Sequence, residues 1–150
     1  MISQVRSNKI FVVHRQDNEM KTDLSQTLQK LDFDPIILQD NAQTLSDYTH
    51  VSFAIILLSQ DDLAYSTEKT SDEAKYRANQ NIFFALGYFL GRLVKQNVIA
   101  VLAKKKKDFE IPNSYSGVAW IEYKTGWYFE LIRELKAANF DVDANKLGWI

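Results

Sequence analysis

A row of mostly polar side chains at helical spacing is the first feature of this sequence that can support chemistry. Its members are separated by 4, 4, 3 and 4 positions, which places them on one face of a helix. They are Arg77, Asn81, Ala85, Tyr88 and Arg92. Guanidinium and amide groups bind phosphates and hydroxyls, so the row can be a ligand-binding face. The alternative is an ordinary solvated surface, on which alanine is simply a good helix former.

Polar residues also follow the predicted strands. In an open α/β sheet, ligands bind beyond the carboxyl ends of the strands, near a switch in strand order. This rule selects the start of the long helix and three further segments, which are residues 14–17, 39–41 and 59–63. His14 can equally be a packed, hydrogen-bonded histidine at a strand end, and Asp62 can equally cap a helix or stabilise a loop.

Composition excludes several kinds of chemistry. The chain has no cysteine, so disulfides, thiolate nucleophiles and thiolate metal sites are excluded. Two histidines are too few for a histidine-rich metal site, and we expect the chain to bind no metal ion. The net charge is −1, which favours neither nucleic acid nor an anionic membrane. Neither standard glycine-rich phosphate loop is present, and no Ser/His/Asp spacing suggests a hydrolase triad.

Apolar runs alternate with helical patterns along the chain, and this order predicts the fold class. Strands are predicted at residues 9–14, 36–38, 51–58, 98–102 and 118–123. Helices are predicted after the first strand, from about 73 to 95, and from about 127 to 139. The alternation predicts an α/β domain with an open parallel sheet and helices on both faces.

The long helix is predicted to turn its apolar stripe toward the sheet. That stripe is Ile82, Phe83, Leu86, Phe89, Leu90 and Leu93. Gly87 and Gly91 lie one helical turn apart, and we expect them to allow close backbone packing.

Residues 1–150 are predicted to form a single domain, whose tail from about residue 141 leads toward a sensor domain. No signal peptide is visible in residues 1–9, and no apolar run approaches the ~20 residues that span a membrane. A cytoplasmic protein is therefore expected.

Several segments, in order along nearly the whole chain, resemble the bacterial TIR-like predicted nucleotide-binding domains of anti-phage defence. They are Val12-Val13-His14, Pro35-Ile36-Ile37-Leu38, residues 53–62, residues 77–91, Ile111-Pro112, Ser116-Gly117-Val118 and residues 135–143. Such domains are fused to, or act with, sensors of cyclic oligonucleotides, as in TIR–STING fusions and other CBASS-type systems. The resemblance implies a flavodoxin-like TIR fold with about five parallel strands.

The same resemblance implies an activity, which is cleavage of NAD⁺ at the nicotinamide–ribose bond by domains that self-associate. NAD⁺ is the substrate, no resident cofactor is implied, and neither nucleic acid nor membrane is an expected partner. The family places its catalytic glutamate in the pattern N-x-x-x-E-L-G-Y. This chain has Asn81, Leu86, Gly87 and Tyr88, but the position of the glutamate holds Ala85. By position, the substrate-binding residues are expected to be His14, Arg15, Asp62, Arg77 and Asn81.

Ala85 implies that the chain as written binds NAD⁺ poorly or does not turn it over, because a methyl group can neither stabilise a developing positive charge nor hold the ribose hydroxyls. An engineered Glu→Ala truncation and a naturally inactive interaction module both fit the sequence. A second departure from the family is the short segment between Leu38 and Val51. Two other functions stay open: a non-catalytic TIR scaffold, and an enzyme resembling nucleoside 2-deoxyribosyltransferases, which share the broad fold and also use a glutamate.

Overall fold

A computed structural model of the chain describes residues 7–15, 19–39, 51–59, 62–64, 66–78, 80–93, 97–102 and 118–148. Parts of the predicted segments 14–17, 39–41 and 59–63 lie outside these residues, as do Ile111-Pro112 and Ser116-Gly117. In chain order the elements are β1 (Lys9–His14), α1 (Glu19–Lys30), β2 (Asp34–Gln39), β3 (Ala54–Leu58), β4 (Asp62–Ala64), β5 (Lys75–Arg77), α2 (Gln80–Leu93), β6 (Val98–Leu102), β7 (Ala119–Glu122) and α3 (Trp127–Ala137).

Five strands form one parallel sheet in the order β2-β1-β3-β6-β7. Counted along the chain, these strands are arranged 2-1-3-4-5, which is the flavodoxin-like order. Strand order reverses between β1 and β3, because β1 leads through α1 to β2 on one side and β3 lies on the other. The predicted parallel α/β sheet is confirmed.

The sheet is buried on both faces, which explains the continuous apolar strands in the sequence. On one face, Met20, Leu24 and Leu28 of α1 join Leu131 and Leu135 of α3 in a single cluster. We call this the α1/α3 face. On the opposite face, α2 packs through its own stripe, and we call this the α2 face. Alternate residues of each strand serve the two clusters, as the pleat of a β-strand requires.

Helix α2 begins at Gln80, later than the predicted start near residue 73. The preceding residues form a short 3-10 turn (Ser71–Glu73) and then β5, which pairs antiparallel with β4. Pairing with β4 occupies the backbone groups of β5 that a helix would use, so the helix cannot start there. The predicted apolar stripe is confirmed: four of its members are buried, and Phe83 and Leu90 pack against the same cluster.

The two glycines of α2 do not serve close packing, so that prediction is wrong. Gly87 and Gly91 are exposed, and a Cβ atom built at either would have no atom within 4 Å apart from its chain neighbours and the nearby backbone of its own helix. They lie on the outer side of the helix, together with Phe84, which is 78% exposed.

Residues after α3 pack back onto the core. Phe140, Val142 and Leu147 are buried in the α1/α3 cluster, and the ring of Phe140 meets Phe33 and Phe53 edge-on at 5.2 Å. Lys146 also forms an ion pair with Asp32. The packed part of the chain therefore extends into the predicted tail as far as Leu147, and a sensor domain stays a prediction. Among the described helices, none is long and apolar enough to cross a membrane.

Tyr123 joins the end of β7 to α1, because its hydroxyl donates a hydrogen bond to Asp23 Oδ2. The pKa of Tyr123 is raised above its usual value. Burial is the largest cause, and the hydrogen bond to Asp23 and the negative charge of Asp23 add to it. Because the unfolded chain releases the Tyr123 proton near pH 10 and the folded chain does not, the stabilisation is complete below pH ~10 and is lost above it.

We therefore expect Tyr123→Phe to lower the free energy of unfolding by about 1 kcal/mol at neutral pH, through loss of this hydrogen bond. The deficit relative to the parent should shrink as the pH rises above ~10, since only the parent loses stability through this group. Urea unfolding of both chains from pH 7 to 11 measures it. A deficit that stays constant across this range would contradict the assignment.

Candidate functional site

The carboxyl edge of the sheet, at the switch between β1 and β3, is the place where this topology can hold a ligand. Four features adjoin this edge along the chain. They are the end of β1 at His14, Ser59 after β3, the short β4–β5 ladder, and the first turn of α2. Helix α2 links two parallel strands, so it runs against their direction and begins at this edge.

Among the described residues, His14 is the one polar residue that is buried, with 4% of its surface exposed. Its Nδ1 atom is shielded from solvent and has no hydrogen-bond partner among the described residues. The packing expected of a structural histidine is therefore observed, whereas the hydrogen bond expected of one is absent at Nδ1 among the described residues. His14 is still paired with Gln39 in the sheet, so the alternation of β1 applies to it. Because Val12 belongs to the α1/α3 cluster and Val13 to the α2 cluster, His14 lies on the α1/α3 face.

Ala85 lies on the α2 face and is 6% exposed, within the apolar cluster that also contains Leu58 and Ala78. The interpretation of Ala85 as part of a solvated surface is therefore wrong. Side chains on a helix lean toward its N-terminus, which here is the carboxyl edge of the sheet. A longer side chain at position 85 would accordingly extend from an apolar wall toward the candidate site.

The neighbours of Ala85 in the predicted row differ in exposure. Asn81 is exposed one turn closer to the carboxyl edge, and Tyr88 is 45% exposed one turn below. Arg92 Nη1 donates a hydrogen bond of 3.3 Å to the Tyr88 hydroxyl. Of this row, Asn81 is the member that shares both the helix and the edge with position 85.

Arg77 does not belong to that helical row, which corrects the sequence prediction. It is the last residue of β5, where it is paired with Asp62 of β4 in the antiparallel ladder. The structure thus brings Asp62 and Arg77 together through their backbones, although 15 positions separate them. Arg77 is half-buried, and its Nε atom is shielded from solvent.

The β4–β5 ladder was not predicted, because each strand has three residues and the connecting segment is polar. Its one sequence signal was Tyr76, a good strand former that pairs with Leu63. Arg15 follows β1 directly and is exposed, as a residue available to a ligand should be.

A hollow of about 310 Å³ lies at the same edge of the sheet, beside β7. It is lined by residues 123–128, including Trp127 and Tyr128. Nothing in the sequence pattern singled out this loop. Within the described ranges, no cluster of His, Cys, Asp or Glu side chains could hold a metal ion.

The flavodoxin-like strand order, with a helix carrying the N-x-x-x-A-L-G-Y motif at the switch point, defines a TIR-type domain. Residues 9–125 match the family model described as the TIR domain of CAP12/Pycsar effector proteins. The chain belongs to this family.

Two curated relatives extend the match over most of the chain. The uncharacterized protein YuaY of Escherichia coli (strain K12) is 33% identical over 150 aligned residues, which cover 93% of this chain and 48% of YuaY. The protein tirC of Dictyostelium discoideum is 27% identical over 145 aligned residues, which cover 88% of this chain and 72% of tirC. The chain thus spans about half the length of YuaY.

Proposed function

We propose that this TIR domain descends from an NAD⁺ glycohydrolase of anti-phage defence, and that this chain is its inactivated form. In the active form, a sensor of cyclic oligonucleotides, such as a STING domain, would assemble several TIR domains in the cytoplasm. NAD⁺ would be the substrate, without a resident cofactor. The observation that carries the proposal is the position of Ala85, which is buried in a TIR-effector helix at the ligand-binding edge of the sheet.

The proposed chemistry suits a carboxylate at position 85. The nicotinamide–ribose bond breaks with its electron pair going to the cationic nicotinamide, which leaves neutral while positive charge develops on the ribose. A carboxylate beside the ribose stabilises that charge and accepts hydrogen bonds from the ribose hydroxyls. Water then adds to the ribose carbon and loses a proton, giving ADP-ribose. The apolar surroundings of position 85 would strengthen the electrostatic stabilisation.

The other predicted site residues belong to segments at the end of β1, after β3 and around the start of α2, with His14 on the opposite face of the sheet from position 85. The guanidinium groups of Arg15 and Arg77 are suited to the diphosphate, since arginine binds phosphate with two parallel hydrogen bonds. Asp62 and Asn81 are proposed to contact ribose hydroxyls.

The test is to introduce Ala85→Glu, enforce self-association by fusion to a dimerising domain, and follow NAD⁺ loss and ADP-ribose formation. Intact NAD⁺ with the folded variant would reject the proposal. The same variant, given a deoxynucleoside and a free base, tests the nucleoside 2-deoxyribosyltransferase alternative. Exchange of the base without loss of NAD⁺ would favour that alternative.

A non-catalytic scaffold is the second candidate, and the outer surface of α2 favours it. Phe84 is 78% exposed and Tyr88 is 45% exposed, beside the uncovered Gly87 and Gly91. Exposed aromatic side chains grouped in this way are typical of contact surfaces. Intact NAD⁺ together with self-association that Phe84→Ser abolishes would support the scaffold.

We expect Asn81→Ala, made in the Ala85→Glu background, to lower the turnover of NAD⁺ by about tenfold or more, since it removes a group that orients the ribose. Gln80→Ala is the matched control, because Gln80 is also exposed in the first turn of α2. Initial rates at saturating NAD⁺ measure the effect. Equal rates for the two variants would exclude Asn81 from the site.

A further inference from the structure

The packing of the described residues leaves the buried Nδ1 atom of His14 without a hydrogen-bond partner. A buried polar atom without a hydrogen bond destabilises the fold, and such atoms are rare in folded proteins. His14 ends β1 at the switch in strand order, the edge at which open α/β sheets bind their ligands. A ligand that forms a hydrogen bond with Nδ1 would remove this destabilisation. Ligand binding would therefore account for a polar atom that packing alone leaves unsatisfied.

His14 and position 85 face opposite sides of the sheet. Val12 and His14 alternate onto the α1/α3 face, whereas Ala85 belongs to the cluster on the α2 face. A ligand that contacts both must therefore cross the carboxyl ends of β1 and β3. This requires an extended molecule with two recognisable parts and disfavours a compact nucleoside held on one face.

We propose that His14 Nδ1 binds the part of NAD⁺ that is remote from the scissile bond, namely its adenosine diphosphate portion. This inference takes its ligand from the proposed function. Position 85 contacts the ribose at the reacting end, and His14 sets affinity and selectivity for the dinucleotide from the other face of the sheet. His14 is thus a specificity residue and takes no part in bond cleavage.

Binding to the chain as it stands, with Ala85, tests the inference without relying on catalysis. NMR titrations with NAD⁺, ADP-ribose and nicotinamide mononucleotide compare ligands with and without the remote portion. We expect the imidazole signals of His14 to shift with the first two and not with the third. The chain has two histidines, so a His50→Asn variant assigns the signals. No shift of His14 with NAD⁺ at its highest soluble concentration would overturn the inference.

Substitutions at His14 test whether Nδ1 is the atom of the imidazole that contacts the ligand. Asparagine carries a polar atom at the δ position, whereas the polar atoms of glutamine lie one bond farther out, near the place of Nε2. We expect His14→Gln and His14→Leu to weaken NAD⁺ and ADP-ribose binding about tenfold, and His14→Asn to preserve most of it. Binding of nicotinamide mononucleotide should change less than about twofold. Equal weakening of all three ligands would overturn the proposed division of the site.

The urea concentration at which the domain unfolds gives a test that is independent of ligand binding. Replacing an unpaired buried polar group by an apolar group of similar size is neutral or stabilising, so His14→Leu should unfold at an equal or higher urea concentration than the parent. A large loss of stability with unchanged NAD⁺ affinity would show a structural role and overturn the inference. Failure of Ala85→Glu to consume NAD⁺, with His14-dependent binding intact, would reject the proposed activity and leave the role of His14 standing.

Discussion

Substituting glutamate for Ala85 should raise the rate of NAD⁺ cleavage by about 10²–10⁴-fold or more in the self-associated domain. Groups that act mainly on charge developing in the transition state contribute factors of this size. Ala85 is buried near the start of α2, and the lean of helical side chains directs a glutamate there toward the carboxyl edge. The effect is large because the methyl group of alanine contributes none of this stabilisation.

Two further substitutions separate the charge of the glutamate from its size. Ala85→Gln has nearly the same shape without the negative charge and should stay as slow as the parent. Ala85→Asp carries the charge but is one methylene shorter, so it should recover only part of the rate, since the carboxylate is displaced from the ribose. Rates for Ala85→Gln that match those of Ala85→Glu would contradict the electrostatic role.

The substitution should also weaken the fold, because position 85 lies among apolar side chains. Burial raises the pKa of a carboxyl group, so the folded Ala85→Glu domain is expected to hold its proton to a higher pH than the unfolded chain does. The parent chain has no carboxyl at this position. The stability deficit of Ala85→Glu should therefore be smallest at acid pH and grow as the pH rises through the unfolded value of ~4.3 toward the folded one. Urea unfolding at several pH values measures this deficit.

Phe89→Ala should lower the free energy of unfolding by about 3–5 kcal/mol, which is a large part of the stability of a domain this size. Phe89 is 1% exposed in the α2-face cluster, and its ring lies 5.3 Å from that of Phe11 in β1. Removing it takes away the contact between the helix and a central strand and leaves a cavity that close-packed neighbours cannot fill.

Phe84→Ala is the matched control, since it makes the same change in the same helix at a side chain that is 78% exposed. We expect its effect to stay within about 0.5 kcal/mol. Urea unfolding of both variants, followed by circular dichroism, measures the difference. Similar losses for the two variants would mean that the outer surface of α2 is covered by other parts of the molecule.

The fold was predictable to the extent that it depends on apolar periodicity. Strands β1, β3 and β6 are continuous apolar runs because helices cover both faces of the sheet, and such runs are visible in one sequence. The stripe of α2 was predictable for the same reason. The β4–β5 ladder was not, because three-residue strands in a polar segment carry almost no pattern and are stabilised by pairing across distant positions.

The site was predictable in part. The motif around Ala85 identified the helix and position 85 as the proposed catalytic position, and the rule for parallel sheets identified the candidate edge. Arg77 was misassigned because its spacing from Asn81 fits a helix, and the sequence does not reveal that its backbone is paired with Asp62. Gly87 and Gly91 were misinterpreted because a glycine motif does not show which side of the helix faces the core.

The sequence alone determined that this is a parallel α/β domain of TIR type with alanine at the position where the N-x-x-x-E-L-G-Y pattern has glutamate, because these properties are local patterns of residue type and spacing. Only the tertiary structure decided that Ala85 is buried, that Arg77 lies on a strand, and that His14 Nδ1 has no hydrogen-bond partner in the described part of the chain. Burial and pairing depend on which distant segments meet, and many such arrangements share the same local pattern.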